Sequence, residues 1–388
     1  LTTKPINLFY TVADSVYFSF FYQPQGIGND PQPEDSLVLE FFSPLTNTWY
    51  RKWAMTGDSV YNFKQVMISI GKYAMDTLFL RKGFKFRFKN YATLSGDFDH
   101  WNIDYIRLAA NRNISDTLLN DVAFIYNYSS LINTYSAMPW KHFISDPAGF
   151  MADTIKAKIR NLSTSTQNIK IPFFITNPDS IFTDEIASDN INSFADSLKR
   201  WPLEYICNYA DDDSADFRVT KVIINASTPI DANPWNDTLI YTQKFYNYYS
   251  YDDGTAEAAY GVNNFFGATL ACRFEVAVPD TLRGMQIAFV PALEDVSNMK
   301  FILTVWGGDG GPQYIIYQNT SLDKPQFPDG YNAFYTYLLD SPIVLSGTIY
   351  IGWEQLTDQI ITIGYDLGKN SNDVTCYNVG TGWENSIL

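Results

Sequence analysis

The chain predicts an all-β protein built as tandem β-sandwiches with little helix, and three observations lead there. Aromatic residues make up 16% of the chain against 18% charged, with 27 Tyr and 28 Phe, which suits half-buried strands better than exposed helices. Phe84, Phe86 and Phe88 alternate with Lys85, Arg87 and Lys89, so one face of an extended chain is apolar while the other carries charge into water. At 388 residues the chain exceeds one compact β domain, which predicts three modules with their own cores, at 1–112, 113–245 and 246–388.

In the first module, strands are predicted at 15–22, 37–41 and 84–88. The loop 23–35 is too rich in Pro and Gly for a sheet interior. The stretch 97–108 reads as a strand entering a sandwich from a loop, with Trp101, Ile103 and Tyr105 on one face and Asn102, Asp104, Ile106 and Leu108 on the other. In the second module, Ile155, Ala157 and Ile159 alternate with Lys156, Lys158 and Arg160. Apolar runs at 169–175 and 217–224 complete the strand content of an immunoglobulin-like sandwich. Between them Ile186, Ile191, Phe194, Leu198 and Trp201 recur every three to five residues and predict a short helix, capped by Asp184 or Ser188. The third module returns to β patterning at 285–289, 301–306, 349–353 and 360–363, with turns at 307–312 and Asp329-Gly330.

The net charge of −15, without a Lys/Arg stripe, disfavours nucleic acid as a partner. Two histidines, His100 and His142, leave little for triads or His-rich metal centres, and no Gly-x-Ser-x-Gly, His-Glu-x-x-His or Walker pattern occurs. The glycine run at 307–311 lacks the Lys-Ser/Thr that a phosphate loop needs. No catalytic residue and no cofactor site is therefore predicted. Cys207, Cys272 and Cys376 match no zinc spacing and cannot all pair within one chain. Asp97, Asp99 and Asp104, with Asn102, are candidate calcium ligands, because calcium prefers several hard oxygens from loop residues. The same residues also suit a turn and a soluble strand edge. The acidic loop 251–257 has the same two readings, with Asp253-Gly254 as a turn.

Two regions carry a family resemblance. Phe18-Ser19-Phe20-Phe21-Tyr22-Gln23, Asp35-Ser36-Leu37, the stretch 49–53, Phe84-Lys85-Phe86-Arg87-Phe88 and the stretch 99–106 resemble MAM-like jelly-roll modules of exported Bacteroidota proteins. The stretch 247–257, Gly347-Thr348-Ile349-Tyr350-Ile351-Gly352-Trp353-Glu354-Gln355 and Trp383-Glu384-Asn385-Ser386 resemble the module that follows in such proteins. The resemblance implies jelly rolls on either side of the immunoglobulin-like sandwich, and export, with Leu1 lying after a removed signal. Asp followed by Ser or Thr and a small or aliphatic residue resembles the O-glycosylation acceptor of that lineage and occurs eleven times, at Ser15, Ser36, Ser59, Thr77, Thr117, Thr154, Ser180, Ser197, Ser214, Thr238 and Thr281. Two roles are known in proteins of this build. One is the type IX secretion plug, which closes the periplasmic opening of an outer-membrane translocon barrel and takes no small-molecule substrate. The other is a secreted cell-surface carbohydrate-binding protein or adhesin.

Overall fold

The computed structural model describes residues 1–71, 77–94, 98–126, 130–176, 181–207, 218–225, 231–291, 294–330 and 332–387. It is 51% strand and 4% helix, an all-β chain of tandem sandwiches. Among the described residues no helix is long and apolar enough to cross a membrane. The chain exposes 20005 Å². One compact body of its 44.2 kDa would expose roughly 15,500 Å², so the modules stand in series rather than around one core.

The first sandwich holds β1 (Ile6–Asn7), β2 (Val16–Pro24), β3 (Ser36–Ser43), β4 (Thr48–Thr56), β5 (Lys64–Ile70), β6 (Lys82–Tyr91) and β7 (Trp101–Ala109). One sheet has the order β1-β6-β3-β4 and the other β5-β2-β7. Alternation decides what lies between them. Phe84, Phe86 and Phe88 are 0%, 7% and 3% exposed and meet Phe18, Phe20 and Phe41 from the other strands. The rings pack edge to face, Phe18 on Phe86 at 4.7 Å between centroids and Phe20 on Phe88 at 5.0 Å, the geometry that ring quadrupoles favour. On the opposite face of β6, Arg87 and Lys89 both pair with Glu40, at 2.6 and 2.9 Å.

The expected faces of β7 hold only for its first half. Asp104 pairs with Phe21 and Arg107 with Ser19, so Tyr105 and Ile106 together oppose one residue, Phe20. This is a bulge, with Tyr105 at a φ of 47°. It shifts the alternation by one residue, so Leu108 joins Trp101 and Ile103 against the first core and Tyr105 turns outward.

The second sandwich holds β8 (Val122–Tyr126), β9 (Ala137–Pro139), α1 (Trp140–Phe143), α2 (Pro147–Phe150), β10 (Thr154–Asn161), β11 (Gln167–Thr176), β12 (Ile181–Ile191), β13 (Asp196–Pro202), β14 (Arg218–Asn225) and β15 (Thr238–Tyr246). The sheets run β13-β10-β8 and β12-β11-β14-β15-β9, around a core that includes Phe143, Phe173, Trp201 and Phe245. The run predicted at 217–224 falls on β14, with Phe217 outside the described residues.

The short helix expected between Ile186 and Trp201 is a pair of strands. β12 pairs with β11 and β13 with β10, which satisfies the backbone groups a helix would have bonded internally. Phe194 sits in the turn at a φ of 54° and is 61% exposed, and Leu198 is 48% exposed. Of the described members of the apolar series, Ile191 and Trp201 reach the core as buried residues. The spacing that resembled a helix combined an outward turn residue with inward strand residues.

The third sandwich holds β16 (Ala258–Tyr260), β17 (Thr269–Ile287), β18 (Phe301–Gly307), β19 (Tyr314–Gln318), β20 (Tyr335–Gln355), β21 (Ile363–Tyr365), β22 (Thr375–Asn378) and β23 (Trp383–Asn385). One sheet runs β19-β18-β20-β17-β22-β23, and β16 pairs with β21 beside it. The strand expected at 360–363 begins only at Ile363. β17 and β20 pair along most of their length, with irregularities near residues 276–284. Gly352 lets them approach: a Cβ there would stand 1.8 Å from the Leu270 carbonyl oxygen.

Because Phe18 touches several rings of the first core, Phe18→Ala is expected to destabilise that module by about 3–5 kcal/mol, whereas the exposed Phe194→Ala should cost less than about 0.5 kcal/mol. Denaturant unfolding checks this, and equal losses for the two variants would contradict the assigned core.

Candidate functional site

Of the acidic residues at the entry to β7, the described ones, Asp99 and Asp104, take different partners. Asp99 is 1% exposed at a φ of 62°, its Oδ2 accepts the Thr93 N–H at 2.6 Å, and its carbonyl accepts Asn90 Nδ2 at 3.2 Å. It faces the buried Asp35, whose carboxyl is pushed up by burial and by Asp99 against the opposing Gln32 N–H. Asp104 lies outward on β7, with Oδ1 on its neighbour's N–H, Tyr105, at 2.7 Å. Asn102 reaches back to the Gln25 carbonyl at 3.3 Å. Asp97 lies outside the described residues. Asp99 and Asp104 thus have separate partners, and among the described residues no group of three or more His, Cys, Asp or Glu side chains is arranged to hold a metal ion.

The loop 251–257 is a turn tied to the third sandwich. Gly254 takes a φ of 94° and donates to Asp252 Oδ1 at 3.0 Å, Thr255 Oγ1 donates to Asp253 Oδ1 at 2.6 Å, and the Asp253 N–H donates to Asp366 Oδ2 at 3.0 Å. Beside it opens a cavity of about 150 Å³ whose lining includes Asp252, Gln286, Asn332, Phe334, Trp353 and Asp366. Burial pushes the Asp366 carboxyl up to about 6, although the Asp253 and Gly368 N–H groups hold it down. Asn332 Nδ2 is buried with no acceptor among the described residues. The cavity therefore brings an orphan donor and two carboxyl groups together beside aromatic carbon. The sequence reading singled out the loop but not Asp366, which is more than a hundred residues away in the chain.

The joints between sandwiches carry polar contacts as well as aromatic ones. At the second joint, the buried His142 on α1 places Nε2 2.9 Å from Asp280 Oδ2 and Nδ1 2.7 Å from the Tyr249 hydroxyl. The Asp280 carboxylate can only accept, so Nε2 carries a proton towards it, while the Tyr249 hydroxyl, which also accepts the Ala277 N–H at 3.3 Å, meets Nδ1. Burial raises Asp280, but the His142 and Thr281 hydrogen bonds outweigh it and hold the carboxyl below its ordinary value. Tyr135 accepts the Glu275 N–H at 2.9 Å, Tyr251 donates to the Arg273 carbonyl at 2.7 Å, and Lys369 donates to the Thr134 carbonyl at 2.6 Å. Phe274 lies parallel to Tyr135 and packs against both the second and the third core. The two ring nitrogens of His142 are thus engaged across the joint.

At the first joint Arg112 is clamped onto the first sandwich. Its side chain donates to Asp116 Oδ2 at 2.6 Å and to Ser19 Oγ at 2.8 Å, and Ser15 Oγ donates to its carbonyl at 2.9 Å. Tyr105 then reaches across to Asp121 and Asn236 of the second sandwich.

Of the Asp-Ser/Thr positions, Ser15, Ser59, Thr77, Thr117, Thr238 and Thr281 are exposed, and Ser36, Thr154 and Ser197 are half-buried. Ser180 and Ser214 lie outside the described residues. Ser36, Thr154 and Thr238 open β3, β10 and β15, as Asp-Ser/Thr after a turn does.

No protein-family model matches the chain, and no curated protein matches it. Among solved structures it is similar to E. coli alpha-2-macroglobulin in its native conformation, at 10% identity and a TM-score of 0.19, over 96% of this chain and 24% of that one. The chain spans about a quarter of that protein's length. A TM-score of this size carries no argument about fold or role.

Because Asp99 Oδ2 is held by the Thr93 N–H and Asp104 lies apart on its own neighbour's N–H, chelation is expected to leave the melting temperature unchanged. A calcium-dependent rise that Asp99→Ala abolishes would instead place an ion at this rim.

Proposed function

We propose that this chain is a non-enzymatic exported protein that fills or caps a large protein opening, as type IX secretion plugs do at the periplasmic mouth of the outer-membrane translocon barrel. The observation that carries the reading is the pair of joints. A body that blocks a wide opening has to resist bending between its modules, and the partly buried hydrogen bonds at Tyr105–Asp121 and at His142–Asp280 oppose such bending. Loops at the ends of the sandwiches can vary without disturbing the cores, so contacts with the barrel belong there. The lineage, the export and the glycans on Asp-Ser/Thr sites rest on the sequence resemblance.

A second reading, a surface carbohydrate-binding protein or adhesin, is favoured by one observation. The third-sandwich cavity sets Asp252, Asp366 and Asn332 beside Phe334 and Trp353, and hydroxyl-rich rings bind where polar groups converge next to aromatic carbon.

Deleting the gene is expected to make the outer membrane leak large solutes while secretion continues, and the chain taken from its native membrane should bring the barrel with it. Unchanged permeability, together with specific glycan binding that Asp366→Asn removes, would replace the plug reading with the second.

A further inference from the structure

The first and second sandwiches meet on a group of carboxyls that has no basic side chain among its contacts with the described residues. Tyr105, turned outward by the bulge in β7, donates its hydroxyl proton to Asp121 Oδ2. Asn236 Nδ2 donates to the same carboxylate oxygen at 3.0 Å and to the Tyr105 hydroxyl at 3.1 Å. Asp121 is 1% exposed and directly precedes β8. Asp231, on the segment before β15, accepts the Val122 N–H at 3.4 Å through Oδ2 and the Asn233 N–H at 2.8 Å through Oδ1. Its carboxyl stands within side-chain hydrogen-bonding range of both Asp121 and Asp237.

Two carboxyl oxygens of the cluster are left over, besides the amide oxygen of Asn236. Asp121 Oδ1 and Asp237 Oδ1 are buried and meet no donor among the described residues. An ionised carboxylate can only accept, so three ionised groups would leave these oxygens unsatisfied and their charges opposed. A protonated carboxyl is itself a donor, and Asp231 lies between the two as an acceptor. We infer that Asp121 and Asp237 carry protons that they donate to Asp231, and that this proton-held clasp ties the segment before β8 to the segment before β15, beside the joint with the first sandwich, in mildly acidic surroundings and loosens as the protons leave.

The titratable groups facing the clasp are Tyr105 and Asp104 on β7, Asp121 before β8, and Asp231 and Asp237 before β15. Burial, with Asp231 adding to it and Tyr105 opposing it, pushes Asp121 up to about 6. Burial and the charges of Asp231 and Asp121 push Asp237 up to about 7. Burial also raises Tyr105, which keeps its hydroxyl a donor. Both aspartates are raised above the ordinary 3.8, so the folded state holds protons that the unfolded chain releases. Their stabilisation is complete below that ordinary value and is lost as the pH rises through 6 and 7.

Hydrogen exchange of the Val122 and Asn233 amides, which donate to Asp231, reads the clasp locally in the full chain. After correction for the intrinsic pH dependence of exchange, protection in the wild type is expected to fall about tenfold or more between pH 5.5 and pH 8. In Asp121→Asn with Asp237→Asn, where amide N–H groups replace the carboxyl protons, protection should persist at pH 8. Should the double variant fail to fold, Asp237→Asn alone serves, since that residue is only half-buried. Equal protection at both pH values in the wild type, or an equal fall in the variant, overturns the inference. Protection restored at pH 8 by millimolar calcium also overturns it, because a cation and not a proton would then close the clasp.

Discussion

The hydrogen-bonded imidazole of His142 is the contact on which the arrangement of the second and third sandwiches depends. Its ring is buried, and each nitrogen has one polar partner, a carboxylate at Nε2 and a hydroxyl at Nδ1. Loss of either partner would strand a buried polar group, which costs about 1–3 kcal/mol. That penalty fixes where α1 can sit against β17. The surrounding rings of Tyr135, Tyr249, Tyr251 and Phe274 then close around a position already set.

A core of phenylalanine rings has a different consequence. In the first sandwich the interior is filled mainly by apolar and aromatic side chains, so it stabilises the module but does little to orient it relative to its neighbour. Orientation comes from the few polar side chains that leave the sheets, Tyr105 and Arg112 at one joint and His142 and Lys369 at the other. The division is physical: apolar burial is non-directional, whereas hydrogen bonds fix angles. The proposed role as an occluding body depends on the second kind of contact more than on the first.

Legibility in the sequence followed the same division. The alternation at Phe84, Phe86 and Phe88 reports a local period of two, and the strand forms as it predicts. The phase slip in β7 was not legible, because one extra residue facing Phe20 leaves no mark on composition. The turn from β12 to β13 does not read as one in the sequence, because Phe194, an exposed turn residue, stands where a helix face would continue. At the acidic rim the sequence placed Asp99 and Asp104 close in the chain, but one folds inward onto Asp35 and the other points out. Both joints join residues far apart in sequence, Tyr105 with Asn236 and His142 with Asp280, and no spacing rule connects such pairs.

The central claim is that the sandwiches form one body and do not hang as loosely tethered modules. Small-angle X-ray scattering of the full chain at mildly acidic pH tests it most directly. The account predicts that the single arrangement of the structure reproduces the wild-type curve and that His142→Ala broadens the distance distribution. A wild-type curve that only an ensemble of freely moving modules can fit, left unchanged by His142→Ala, would contradict it.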